Sequence, residues 1–452
     1  MRKFYAVQKM EMERAEHEQT TLLDMPVDEE PIELTSWDVV AKLDSDEFND
    51  SNLLIAEGCS YSLNDMKTRL NNNVLVVGGS GTGKTRSIVT PNLYQAVGSY
   101  IVSDPKGNLQ KKYSKYLKRK GYNIKSIDFT HPDKSAHYNP MKMVSTTQDI
   151  IRITDVLINE KASQGTRADP YWDSMSTIFL SSIIGYLIET GNMPMNFSSI
   201  MNLVRAGERK DDESKESELS KRFRMLKISN PESWACAQFA NVDAAPYKTY
   251  DTIRTTLAAK FAKFDTRELQ IMMSSNDFDF ASVAREKTVV FVTVSDTDRS
   301  MDALANIFFT QAMQILCEYA DNFCENNRLP VPVRFILDDF ASNCKIEEFP
   351  RMISTIRSRG ISVMLMIQSE AQLRQGYGYD DMTIISNCDT YVYLGGNDVE
   401  TASAISLRCD KMLKQILYMP IGECWVFRRG SYPVNAKLLD AREYIYEMER
   451  CA

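Results

Sequence analysis

A chain of 452 residues is too long for one ordinary domain, and two or three compact units are expected. The formal net charge of −8 excludes a uniformly basic nucleic-acid coat and leaves room only for a local basic pore or groove. The nine cysteines show no Cys-x-x-Cys pair and the histidines, His17, His131 and His137, are dispersed, so neither a disulfide framework nor a zinc site is expected, and a cytoplasmic location is.

Residues 1–55 are charged and weakly patterned, with acidic patches at Asp28-Glu29-Glu30-Pro31 and Asp44–Asp50, and read as an acidic N-terminal arm or a solvated tail. Met1-Arg2-Lys3 is followed by polar sequence, not by the apolar core of a signal peptide. The longest apolar stretch, Thr177–Ile188, is broken by Ser181, Ser182 and Gly185 and is shorter than the roughly 20 residues of a membrane helix. No membrane span is therefore expected.

Val74–Val77 is a short β-branched run bounded by Asn73 and Gly78, the pattern of a buried parallel strand. Similar runs at Tyr100–Val102 and Asn123–Phe129 alternate with helix-like stretches, which predicts a parallel α/β sheet. Helical patterns then take over at Asp149–Asn159, Tyr171–Glu189 and Ile253–Phe264, with a run of mixed charge, Glu208–Lys221, among them. Strand signals return at Thr288–Val294, Val333–Leu337, Ser362–Ile367, Thr390–Leu394 and Glu423–Phe427. The reading is an α/β domain, 56–145 and 283–452, interrupted by an all-α insert, 146–282.

Gly78-Gly79-Ser80-Gly81-Thr82-Gly83-Lys84-Thr85 follows a predicted strand and opens a predicted helix, the setting of a phosphate-binding loop. Glycines let the backbone curl so that N–H groups face phosphate oxygens, and the helix N-terminus adds positive potential. Lys84 supplies a mobile charge for the β- and γ-phosphates, the Thr85 hydroxyl suits Mg²⁺, and Arg86 completes the nucleotide-binding set. ATP and Mg²⁺ are the expected ligands. Phe335-Ile336-Leu337-Asp338-Asp339 is a strand carrying two carboxylates to the ligand-binding edge of a parallel sheet. Asp338 is expected to hold Mg²⁺ and Asp339 to orient or deprotonate the attacking water. Gln368 ends the strand Ser362–Ile367 and could sense the γ-phosphate; Arg357 and Arg359 stand just before that strand, where an Arg could either complement a helix C-terminus or reach a neighbouring subunit's phosphate.

Four blocks resemble the TraG-like type IV coupling proteins of conjugation and type IV secretion: Val74–Thr85, Ser103-Asp104-Pro105-Lys106-Gly107, Ile336–Phe340 and Ile353–Leu373. The last is the most specific, because its Arg-Ser-Arg-Gly and Gln-Ser-x-Ala-Gln-Leu elements stand in the family's order and spacing, and Val289–Arg299 is similar to the family's strand after its helical insert. The resemblance runs from about residue 55 onward and is weak in the insert. It implies a RecA-like P-loop NTPase domain interrupted by an all-α domain, a homo-hexameric ring with ATP at subunit interfaces, and the task of passing a relaxase-bound single-stranded DNA or a protein substrate to a secretion channel. It also implies that Gln368 is the sensor, that Arg357 is the better-placed arginine finger with Arg359 second, and that Asp104 and Lys106 line the next strand's tip or form a structural turn there.

Two departures follow. Family members usually carry Glu where this chain has Asp339, and a carboxylate more than about 1 Å short of the water can cost on the order of a hundredfold in rate. Typical members also begin with transmembrane helices, so attachment at the cytoplasmic membrane is expected through a partner. Other readings are an FtsK-like cytoplasmic DNA pump and a weakly hydrolysing nucleotide-binding adaptor. DNA contact by an acidic chain needs only a few pore-facing cations per subunit, for which Arg374, Arg408, Lys411 and Lys414 are candidates.

Overall fold

The computed structural model describes residues 47–158, 170–209, 216–295, 297–340 and 344–451. The arm expected at 1–55 lies outside the described residues as far as residue 46. From Asn52 the chain is already in strand: β1 (Asn52–Ala56) pairs antiparallel with β2 (Cys59–Ser62), and Leu53 and Ile55 are buried.

The main sheet is built from β3 (Val74–Val77), β4 (Ser99–Ser103), β5 (Asn123–Asp128), β6 (Thr288–Thr293), β7 (Val333–Leu337), β8 (Ile361–Ile367), β9 (Thr390–Tyr393), β10 (Glu423–Arg428) and β11 (Val434–Lys437). Their order is β11-β10-β9-β3-β8-β7-β4-β6-β5, and every pair from β9 to β5 is parallel while β10 and β11 run antiparallel at one edge. Strands β3, β6, β7 and β8 are buried along their whole length, which is why their sequences are near-continuous apolar runs without alternation. The edge strands differ: β5 exposes Asn123 and β11 exposes Asn435 and Lys437, polar and charged positions that discourage edge-to-edge pairing. This order places β8 between β3 and β7. The loop after β3 and the acid pair after β7 are therefore two inter-strand spacings apart, roughly 10 Å, with the tip of β8 between them.

The helix after β3 starts as a π turn, Thr85–Val89, and continues as α1 (Thr90–Tyr94). Pro91 explains the wide turn: it has no N–H to give, and its ring would crowd the carbonyl four residues back in an α register. The next helix, α2 (Asn108–Arg119), follows β4.

Among the described residues, the helical unit falls within His137–Asp277 and the α/β unit takes 47–136 with 278–451. The expected insert, 146–282, begins later than this unit because 137–146 has no helical period in the sequence. The Tyr138 N–H donates to the Met272 carbonyl and the Asn139 amide to that of Met273, which ties this stretch to the helices; at the other end Phe278 and Phe280 pack on Phe308 of the α/β unit. Within the helical unit, α3 (Pro170–Thr190) is buried on most sides from Phe179 to Leu187, against α4 (Trp234–Asp243) and α5 (Tyr247–Phe261). A helix enclosed in this way is apolar all round. Among the described residues, no helix is long and apolar enough to cross a membrane. Back in the α/β unit, α6 (Asp302–Phe323) connects the region after β6 to β7.

Candidate functional site

The chain leaves β3 at Gly78 and is pinned to both neighbouring strands: the Gly78 N–H donates to Ile367 O at 3.1 Å and the Gly79 N–H to Gly395 O at 3.2 Å. A Cβ on Gly78 would stand 2.7 Å from Thr82 Oγ1 and 3.0 Å from the Leu394 Cβ, so only glycine fits. Gly83 has φ +94°, a conformation that side chains avoid. The Ser87 N–H donates to Gly83 O and begins the helix. Ser80 and Gly81 are exposed at the crest of the loop.

Lys84 is buried, and its ammonium donates to the carbonyls of Gly78 and Gly79. Burial lowers its pKa, opposed by the nearby carboxylates of Asp338 and Asp339. The Thr85 hydroxyl donates to Asp338 Oδ2 at 3.0 Å, which joins the loop after β3 to the tip of β7. Burial raises the pKa of Asp338 and Asp339 adds to this, while the Thr85 hydrogen bond and Lys84 pull it back. The Asp338 carbonyl is held by the hydroxyl of Ser103 at 3.4 Å and the thiol of Cys344 at 3.5 Å. Neither contact has a sequence signal beyond the position of Ser103 at a strand end.

Asp339 turns left-handed, φ +49°, a conformation that Asp adopts more readily than most residues. Its Oδ1 accepts from Gln368 Nε2 at 3.2 Å, and Gln368 is itself placed by its N–H donating to Gln372 Oε1 at 2.7 Å. Thr85, Lys84, Asp338, Asp339 and Gln368 thus share one sheet edge. The hydroxyl oxygen of Thr85 and the carboxylate oxygens of Asp338 are hard donors of the kind that Mg²⁺ takes, and a dication would offset the desolvation of the Asp338 carboxylate.

The two arginines stand elsewhere. Arg357 and Arg359 precede β8, at the opposite end of a seven-residue strand from Gln368, roughly 20 Å away. Arg357 Nη2 donates to the Asp65 carbonyl at 2.7 Å, and its Nε lies 3.6 Å from the Asp65 carboxylate, which Arg328 grips with two hydrogen bonds at 2.8 and 3.2 Å. Arg359 forms two hydrogen bonds with Asp321 of α6, at 2.8 and 2.7 Å. Arg86 pairs with Asp440 at 3.1 Å on the surface. Asp104 caps α2, accepting from the N–H groups of Asn108 and Gln110, and Lys106 is exposed beside it. Of the cations considered for DNA, Arg374 is engaged by Asp381 and Glu400 and Arg408 lies 3.6 Å from Glu370, whereas Lys411 and Lys414 are exposed.

The family model described as Type IV secretory system Conjugative DNA transfer matches residues 38–413. The protein VirD4 of Rhizobium radiobacter is 26% identical over 341 residues, covering 74% of this chain and 47% of that protein. The type IV secretion system-coupling protein VirD4 of Bartonella henselae is 21% identical over 395 residues, covering 84% of this chain and 59% of its own length. The chain thus spans about half the length of the curated relatives it matches. Among solved structures, the plasmid coupling protein TrwB in complex with a non-hydrolysable ATP analogue superposes with TM-score 0.62 at 17% identity, over 88% of this chain and 92% of that one. TrwB has also been solved with ADP and Mg²⁺, with TM-score 0.61 against this chain. These likenesses establish the fold as that of a RecA-like P-loop NTPase with an all-α domain.

Proposed function

The chain belongs to the family of type IV secretory conjugative DNA transfer proteins, and from that membership we propose that it is an ATP-driven coupling ATPase that feeds a relaxase-bound single-stranded DNA, or a protein substrate, to a type IV secretion channel. The observation that carries the proposal is the 3.0 Å contact between Thr85 and Asp338, which brings the phosphate loop and the acidic strand tip together beside Lys84 and the Gln368–Asp339 pair.

In this reading Gly78–Thr85 cradles the phosphates of ATP, Lys84 exchanges its loop carbonyls for phosphate oxygens, and Thr85 and Asp338 hold Mg²⁺. Mg²⁺ when bound supplies charge neutralisation at the phosphates. Asp339 orients the attacking water and accepts its proton. Gln368 fixes the Asp339 carboxylate through its amide and reads the γ-phosphate from the neighbouring strand. Arg86 would touch the nucleotide only on leaving Asp440. Arg357, too far from its own chain's site, would serve the next subunit of a homo-hexameric ring, while Arg359 is an anchor to α6. Lys411 and Lys414 remain the exposed pore candidates for single-stranded DNA. The protein would work at the cytoplasmic face of the membrane, held there by channel partners.

The test is ATP turnover by wild type and Lys84→Ala, with and without single-stranded DNA, over a range of protein concentrations. Turnover that DNA stimulates, that rises more than linearly with protein and that vanishes in the variant supports a ring motor with shared sites. Tight ATP binding without turnover in any condition would leave a nucleotide-binding substrate adaptor, the reading that the short Asp339 side chain favours.

A further inference from the structure

Between Asp104 and Asp128 the sequence has no acidic residue, although the whole chain carries a net charge of −8. Most of this stretch is α2. At 3.6 residues per turn, Lys111, Lys112, Lys115, Lys118 and Arg119 fall within an arc of about 120° along roughly 12 Å of helix. All five are exposed. The opposite arc, Leu109, Tyr113 and Leu117, is buried in the core of the α/β unit. Among the described residues no acidic side chain pairs with any of the five, in contrast to Arg86, Arg374 and Arg408, each of which lies against a carboxylate.

The chemistry of the stripe narrows its partner. Four of the five cations are Lys, compact charges without the fork that suits paired phosphate or base-edge contacts. No aromatic ring is offered for stacking: Tyr113 is buried with its hydroxyl on Thr90, and Tyr116 stacks on Tyr94 at 3.9 Å between centroids. The apolar face of the helix is spent on the protein's own core, so insertion into a bilayer is not open to it. What remains is a straight, convex row of point charges, which suits a flat anionic surface. We propose that the exposed face of α2 docks on an anionic lipid bilayer, a direct electrostatic contact that is independent of the nucleotide site and of any channel partner.

The test uses the full chain in co-sedimentation with vesicles of phosphatidylcholine alone and of phosphatidylcholine mixed with phosphatidylglycerol. Wild type should bind the mixed vesicles and not the neutral ones, and added salt should release it. Lys111→Gln/Lys112→Gln/Lys115→Gln should weaken binding on the order of a hundredfold, from about tenfold or less per charge removed. A charge-matched variant, Lys67→Gln/Lys227→Gln/Lys248→Gln, should bind as wild type does. Circular dichroism and the melting temperature of both triple variants verify folding, since every substituted side chain is exposed. Equal sedimentation of the α2 variant and wild type overturns the proposal, as does binding of wild type to neutral vesicles or to neither kind. A loss seen on single-stranded or duplex oligonucleotides and not on vesicles overturns it in favour of nucleic acid.

Discussion

The hydroxyl of Thr85 and the carboxylate of Asp338 meet at 3.0 Å across 253 residues of sequence. The contact couples the first turn of a helix to the tip of a strand two positions away in the sheet, and it sits on a carboxylate whose charged form burial disfavours.

That burial has a signed consequence for stability. The folded-state pKa of Asp338 is raised above the ordinary 3.8, so the folded protein holds this proton more tightly than the unfolded chain does. Stability is therefore lost as pH rises from the ordinary carboxylate range through the folded pKa. Asp338→Asn removes the charge and keeps an oxygen for Thr85. Without nucleotide, the variant should melt close to wild type where the carboxyl is protonated in both states and increasingly above it as pH rises, while losing Mg²⁺-dependent nucleotide binding. Calorimetry across that range checks the first part; parallel pH profiles for the two proteins would show that Asp338 does not titrate as described.

The Gln368–Asp339 pair gives a kinetic prediction. Gln368→Ala should lower kcat by about tenfold to a hundredfold with little change in nucleotide affinity, because it frees the carboxylate that positions water. Asp339→Asn should do the same more severely. Asp339→Glu restores a methylene and should raise kcat, against a modest backbone cost at φ +49°. Steady-state turnover with separately measured nucleotide affinity distinguishes these outcomes, and a Glu variant slower than wild type would show that the turn is built for the shorter acid.

Much of this site was legible in the sequence, for identifiable reasons. Val333–Leu337 reads as a strand because an apolar run ends at an acid pair, and Gly78–Thr85 reads as a phosphate loop because glycines, Lys and Thr keep a fixed spacing after a buried strand. β1 lies just behind an acidic patch that masks its strand signal, and β11 is a mostly exposed edge strand of four residues, too short for its Val-Asn-Ala-Lys pattern to stand out. Strand order was not legible at all: nothing local to Ile361–Ile367 says that it lies between β3 and β7, yet that placement is what sets Gln368 beside Asp339. The partner of Arg357 was equally hidden, since Asp65 lies 292 residues away and belongs to no motif.

If Arg357 serves a neighbouring subunit, loss of function should be rescued by mixing. Lys84→Ala should abolish turnover and Arg357→Ala should cut it to a small residue, yet mixed oligomers contain interfaces where an intact loop faces an intact arginine. Recovery of part of the wild-type turnover on mixing would place the arginine in trans. No recovery, with mixed assembly demonstrated by pull-down of one tagged variant with the other, would remove Arg357 from the shared site.

Asp65 should then matter in two separable ways. Its carboxylate is almost wholly buried, with 4% of the side chain exposed, and it is the shared counter-charge for Arg328 and Arg357. Breaking a fully buried pair costs about 3–5 kcal/mol, but both arginines are partly exposed, so Asp65→Asn should destabilise by a smaller amount, roughly 2 kcal/mol. The melting temperature should fall by several degrees. Turnover should fall as well if Asp65 holds Arg357 in the posture that the next subunit meets. The two effects part company in the double variant: on an Arg357→Ala background, Asp65→Asn should still lower the melting temperature through Arg328, but should leave the residual turnover per folded subunit unchanged. A further drop in that turnover would mean that Asp65 acts on the site by a route other than Arg357.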